Sequence, residues 1–208
     1  MDIETPTGLA RAHVSHAEDE RAALVLGHGA GGGVSARDLV TTSEAGLARG
    51  VSVALVEQPY RVAGRRSPAP RSHLDVAWTA VVEQLKDDEL QGLPLIVGGR
   101  SLGARVACRT ADAVGAIAVL CLAFPLMPPR RATGKPAESR LQELDDVTVP
   151  TLVVQGERDP FGMPPAGLLR TVTPVPGDHS LRTDLEAVRA AVDGWLRSIV
   201  GELATTPQ

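Results

Sequence analysis

The sequence predicts an α/β fold: a mostly parallel central sheet with helices on both faces and no cap domain. Three observations carry that expectation. Short apolar runs rich in β-branched residues alternate with amphipathic stretches, the pattern of βα units wound onto a parallel sheet. The pentapeptide Gly99-Arg100-Ser101-Leu102-Gly103 stands where one such run (Pro94–Gly98) gives way to a helix-compatible one (Ala104–Cys108), as a serine on a sharp strand-to-helix turn requires. The only place for a lid, from Leu122 to Thr151, holds Pro125, Pro128, Pro129 and Pro136 and a short helical pattern around Arg140–Leu144, too little for an independent cap.

Along the chain, residues 7–16 form an additional edge strand, and Ala22–Gly27 is the first apolar β-run. A helix follows, opened by Ser35 with Asp38 three residues on and closed at Gly50, a cap signal at each end. Val51–Glu57 is the next strand. Leu74, Trp78, Val81 and Leu85 then share one face of a second helix. Leu93–Gly98 enters the pentapeptide. The helix leaving it carries Ala104, Ala107, Cys108 and Ala111, a face of small residues able to lie close to the sheet. Strands Ala116–Leu122, Thr151–Gln155 and Val172–Val175 follow. The last helix has Thr183-x-x-Glu186 as a capping box, then Leu185, Val188, Val192, Trp195 and Ile199 at helical spacing, before a frayed tail at Thr205–Gln208.

Composition bounds the function. A chain of 208 residues, 43% apolar and 22% charged with net charge −4, reads as one globular domain, 1–208, with no basic excess to suit nucleic acid. The N-terminal residues have neither the basic nor the apolar region of a signal peptide, and the longest apolar run, Ala113–Met127, is broken by Gly115 and Pro125. A cytoplasmic location and no membrane partner are therefore expected. Cys108 and Cys121 read as core filler rather than a disulfide framework. His13-x-x-His16 lacks matching acidic or cysteine partners for a metal, so no metal or cofactor is expected.

A serine hydroxyl is a weak nucleophile. It needs a histidine to take its proton and a carboxylate to orient that histidine. In strand-turn-helix sites of this kind the chain order is serine, acid, histidine, each beyond a strand's C-terminal end. Asp159 is the candidate acid, in the turn Gly156-Glu157-Arg158-Asp159-Pro160 after strand Thr151–Gln155. His179, in Pro176-Gly177-Asp178-His179-Ser180, is the candidate base and the only histidine after Ser101. Asp178 reads as a loop residue or a group supporting the site. Oxyanion stabilisation needs two backbone N–H groups. Leu102, directly after the serine, offers one. The glycine-rich loop His28-Gly29-Ala30-Gly31-Gly32-Gly33 offers the other, from Ala30 with Gly29 the alternative, while His28 reads as an anchor of that loop.

The chain holds five aromatic residues. Trp78 and Trp195 lie on helix core faces. Tyr60, Phe124 and Phe161 fall just past three different strand ends, where a ligand crevice forms, so they either wall the substrate site or pin loops to the core. Arg61, Arg65, Arg66 and Arg71 read as a solvated basic loop.

Five segments together resemble the α/β-hydrolase superfamily, and within it the small uncapped dienelactone-hydrolase-like group that includes the KANL3/Tex30-like proteins. They are His28-Gly29-Ala30-Gly31, Gly99-Arg100-Ser101-Leu102-Gly103-Ala104-Arg105, Phe124-Pro125-Leu126-x-Pro128-Pro129, Gln155-Gly156-x-Arg158-Asp159-Pro160-Phe161-Gly162 and Gly177-Asp178-His179-Ser180. The resemblance implies the α/β-hydrolase fold, with Ser101, Asp159 and His179 on the family's triad positions. One departure is that dienelactone hydrolase itself uses a cysteine nucleophile where this chain has Ser101. The expectation is a serine hydrolase cleaving a small acyl ester or thioester. Acyl transfer or perhydrolysis on the same acyl-enzyme, or a non-catalytic interaction module, are the alternatives. Nothing in the sequence sets an oligomeric state.

Overall fold

The computed structural model describes residues 1–128 and 138–205. One eight-stranded sheet organises them: β1 (Asp2–Thr5), β2 (Gly8–Ser15), β3 (Ala22–Gly27), β4 (Val51–Glu57), β5 (Leu95–Arg100), β6 (Ala118–Leu122), β7 (Thr151–Gly156) and β8 (Arg170–Val175). The spatial order is β1-β2-β4-β3-β5-β6-β7-β8. β1 and β2 run antiparallel to their neighbours, and every other pairing is parallel. Among the described residues no separate cap stands over the sheet.

The apolar runs become strands because both faces of the sheet are covered, so they need no polar alternation. All six residues of β3 are buried. Ala23 and Val25 point into one core, with Val97, Trp78, Ala104 and Ala107. Leu24 and Leu26 point into the other, with Ile96, Leu39, Val188 and Val192. The first core lies under α3 (Arg71–Asp87) and α4 (Leu102–Thr110), the second under α1 (Arg37–Leu47) and α6 (Leu185–Thr205). Two short helices, α2 (Pro59–Val62) and α5 (Leu141–Asp145), complete the described elements.

Several local expectations change. The strand at 7–16 exists as β2 but is not the edge: β1 forms a hairpin with it and takes the outer position. Ser35 does not cap α1. The cap position is Ala36, and Asp38 is turned inward and buried. At the last helix the cap shifts by one residue, with Asp184 Oδ1 accepting the Ala187 N–H at 2.9 Å, so Thr183 is free to pack on Gly177. Trp195 is only half-buried at the margin of its core. Of the proline-rich segment, Pro129 and Pro136 lie outside the described residues, as do the last three residues of the tail.

This topology creates a crevice. From β3 the chain moves outward to β4, and from β5 it moves the opposite way to β6. The C-terminal ends of β3 and β5, paired through Gly27 and Gly99, therefore flank a switch point where loops diverge and leave room for a ligand.

Candidate active site

Ser101 sits between β5 and α4 with φ 53° and ψ −105°, a left-handed conformation uncommon for a residue with a side chain. Three glycines make that turn possible. A Cβ on Gly99 or Gly103 would run into the Gly27 backbone, and one on Gly98 into the Leu120 carbonyl. The elbow, β3 and β6 thus touch backbone to backbone. The Ser101 N–H donates to the Leu122 carbonyl at 2.9 Å, which ties the turn to β6.

The loops after β7 and β8 bring the other two candidates to the serine. His179 Nε2 lies 2.9 Å from Ser101 Oγ, and His179 Nδ1 lies 2.7 Å from Asp159 Oδ2. The Asp159 side chain is 1% exposed and that of His179 19%, so the carboxylate is shielded while the imidazole faces the crevice. Asp159 is held from two further sides: Phe161 N–H donates to Oδ1 at 2.8 Å and Gln155 Nε2 to Oδ2 at 2.8 Å. Fully buried Gln155 also faces the carbonyls of Phe124 and Gly162. Gly156 permits close approach of the two loops, because a Cβ there would collide with the Asp178 carbonyl. Exposed Asp178 turns away and accepts from Ser180 N–H and Oγ, holding the turn; the Ser180 hydroxyl keeps its carboxyl below the usual range. Leu181, buried and at φ 51°, pins the far side of that turn.

Opposite His179, Leu102 is the first residue of α4, so its N–H has no intrahelical acceptor and shares the partial positive charge of the helix start. Across the crevice, Ala30 is partly exposed in the glycine-rich loop. Buried His28 anchors that loop as expected: Nδ1 meets the Gly29 carbonyl at 2.8 Å, and Nε2 accepts the Gln58 N–H at 3.1 Å. Burial lowers its pKa, so it stays neutral and keeps Nε2 as an acceptor.

The three aromatic residues past the strand ends divide. Phe161 is half-buried, its ring centroid 4.4 Å from that of His179. Phe124 is wholly buried in the core and cannot wall an open site. Tyr60 is 3% exposed, packs edge-on against His28 and donates its hydroxyl to the Ala30 carbonyl at 3.0 Å. Burial pushes that phenol up to about 12, so it remains a donor. Tyr60 and Phe124 are loop pins: the strand-end rule locates a side chain along the sheet but not whether it turns into the crevice or back to the core.

Sequence reasoning passed over Arg100, Asp38 and Gln155. Arg100 fills a variable position of the pentapeptide, and Asp38 read as part of a helix cap. Only the folded chain joins them, with Arg100 Nε 2.8 Å from Asp38 Oδ2. Among the described residues no group of three His, Cys, Asp or Glu side chains could hold a metal ion, and no helix is long and apolar enough to cross a membrane.

The family described as the alpha/beta hydrolase domain matches residues 20–184. The chain belongs to that family. Solved structures agree on the architecture. Est1E from Butyrivibrio proteoclasticus superposes with a TM-score of 0.77 at 16% identity, covering 97% of this chain and 98% of its own. XC6422 from Xanthomonas campestris, described as an α/β serine hydrolase without lid, gives 0.74 at 19% identity, covering 100% and 95%. A dienelactone hydrolase from Anabaena variabilis gives 0.75 at 14% identity, covering 95% of each chain. At these identities the likeness shows the fold. Comparison with curated proteins returns no match. This α/β-hydrolase domain thus has the architecture expected of it, with the strand-end loops converging where the superfamily builds its sites.

Proposed function

We propose that this chain is a serine hydrolase that cleaves a carboxylic ester or thioester through an acyl-enzyme. The observation that carries the reading is the hydrogen-bonded chain from Ser101 Oγ through the His179 ring to Asp159 Oδ2, at 2.9 and 2.7 Å. In this reading His179 Nε2 takes the Ser101 proton as Oγ attacks the acyl carbon. Asp159 holds the opposite N–H and stabilises the imidazolium that forms. The carbonyl oxygen, now negative, lies between the Leu102 and Ala30 N–H groups, the former reinforced by the α4 dipole. His179 returns the proton to the leaving alcohol or thiol, then activates a water that releases the acid.

Support for an apolar acyl group comes from the rim. Phe161 stands beside His179, and Met127 and Met163 are 38% and 39% exposed on the adjoining segments, joined by the Met127 N–H to Phe161 carbonyl bond at 2.8 Å. With no cap among the described residues, selectivity falls to this rim.

The test is labelling with a fluorophosphonate probe, with hydrolysis of a short-to-long series of p-nitrophenyl esters and acyl thioesters alongside. The expected result is one covalent adduct on Ser101, absent in Ser101→Ala, and turnover lost with it. A folded protein that neither labels nor turns over any member of the series would overturn the reading in favour of a non-catalytic fold. Turnover that required an added acyl acceptor would replace hydrolysis by transfer.

A further inference from the structure

We infer that Arg100 is a positioning residue that holds His179 and the glycine-rich loop in register with Ser101. The inference rests on the acyl-transfer reading above and adds to it a residue outside the Ser-His-Asp set.

Three contacts carry it. Arg100 Nη2 donates to the His179 main-chain carbonyl at 2.9 Å, reaching from β5 to a loop 79 residues later. Arg100 Nε stands 2.8 Å from Asp38 Oδ2, whose side chain is 1% exposed at the start of α1. Arg100 Nη1 lies against Gly29, 2.9 Å from where a Cβ would be, one residue before the Ala30 N–H. One guanidinium therefore touches the loop of the base, the loop of the second oxyanion donor and the first turn of α1, while its own backbone adjoins Ser101.

The chemistry suits arginine and no other residue. The planar guanidinium holds Nε and Nη2 at a fixed angle, so the charge contact of Nε with the Asp38 carboxylate restricts the direction from which Nη2 donates to the His179 carbonyl. Asp38 in turn has its other oxygen, Oδ1, on the Leu39 N–H at 3.0 Å, so the anchor itself is fixed. A lysine could pair with Asp38 or reach the carbonyl, but one ammonium cannot span two partners that the guanidinium meets through separate nitrogens. Gln155 does for Asp159 what Arg100 does for His179, but from the strand bearing the acid. Without Arg100, the loop bearing His179 keeps the Asp159 bond and the Leu181 pin but loses its direct tie to the strand that carries the serine. Displacement of a general base by about 1 Å costs on the order of 10²-fold in rate.

The experiment compares wild type, Arg100→Lys, Arg100→Ala and the double variant Arg100→Met with Asp38→Asn. The double variant leaves no uncompensated buried charge if Arg100→Ala fails to fold. Rates of fluorophosphonate labelling and ester turnover are measured per folded molecule, with kcat and KM separated. The low-field proton resonance of the His179–Asp159 bond is recorded by NMR. The expected result is a fall of ~10- to 100-fold in kcat and labelling rate for the alanine and double variants. KM stays within about twofold, the low-field resonance broadens or is lost, and Arg100→Lys recovers only part of the rate. Wild-type rates per folded molecule in the double variant, or loss that merely tracks unfolded protein with the resonance intact, would overturn the inference. A wild type that does not label at all would instead overturn the acyl-transfer reading on which it rests.

Discussion

Gly103 is the position where one added methyl group strains the fold and the proposed chemistry together. A Cβ built there would meet the carbonyl oxygen, carbonyl carbon and Cα of Gly27, none farther than 3.0 Å. All three are backbone atoms of a central strand, paired on one side with β4 and on the other with β5, so β3 cannot yield. Helix α4 must lift instead, by roughly 1 Å, against a core packed to crystal density. Its buried face, with Ala104, Ala107 and Cys108, would lose contact with the sheet. Overpacking of this kind costs about 3 kcal/mol at the upper end of its usual range. For a chain of this size that corresponds to a fall in Tm of ~6–12 °C. Because Ser101 is the cap residue of α4, the lift also moves its hydroxyl relative to His179, with a rate loss on the order of 10²-fold. The assay is thermal unfolding by circular dichroism of Gly103→Ala, with fluorophosphonate labelling at 25 °C. Gly194→Ala in α6 serves as control, since a Cβ there meets nothing within 4 Å. A Gly103→Ala protein with wild-type Tm and labelling rate would refute the reasoning, because it would mean that β3 and α4 are not in backbone contact.

Four further outcomes follow from other contacts. Burial lowers the His28 pKa below its ordinary 6.5, so the unfolded chain binds the proton first. Its contribution to stability is complete above that value and is lost as pH falls below it. His16, raised chiefly by its hydrogen bond to Glu20, acts with the opposite sign, so the test is the difference between wild type and His28→Gln. The Tm of the variant should depend less steeply on pH, and parallel curves would refute the assignment. Glu143 on α5 receives the Arg105 side chain at 2.6 and 2.7 Å and Arg109 at 3.4 Å, and Arg109 also pairs with Asp75 of α3. Glu143→Gln should cost about 2 kcal/mol in denaturant unfolding, because the Arg109 side chain is only 5% exposed. Asp2→Asn, whose pair with Arg11 is half-exposed and screened by solvent, should leave the unfolding midpoint unchanged. Tyr60→Phe removes the bond to the Ala30 carbonyl and should lower kcat several-fold with KM unchanged. A shift in KM alone would mean that the Tyr60 hydroxyl touches substrate.

How far the sequence reached depended on the range of the interactions involved. Strands β3 and β4 were legible residue for residue, because a short apolar run bounded by polar or glycine residues has few other places to go. The elbow was legible because the motif is local: strand, strained serine and helix are contiguous. Cap positions were not. Ser35 and Thr183 satisfied the sequence rule, yet each lost to a neighbour once tertiary packing set the entry angle of its helix.

The sequence by itself determined the alternation of elements, the order in which Ser101, Asp159 and His179 follow strand ends, and the shortness of the segment between Leu122 and Thr151, since all three are properties of chain order and local pattern. Only the tertiary structure decided which side chains turn into the crevice. It put Phe161 against His179 and withdrew Phe124 and Tyr60 into supporting roles. It also brought Asp38, Arg100 and His179 together, three residues remote in the chain and joined by one guanidinium. The physical reason is that orientation at a strand end is set by what else is buried nearby, and side chains remote in the chain meet only where the fold brings their elements together.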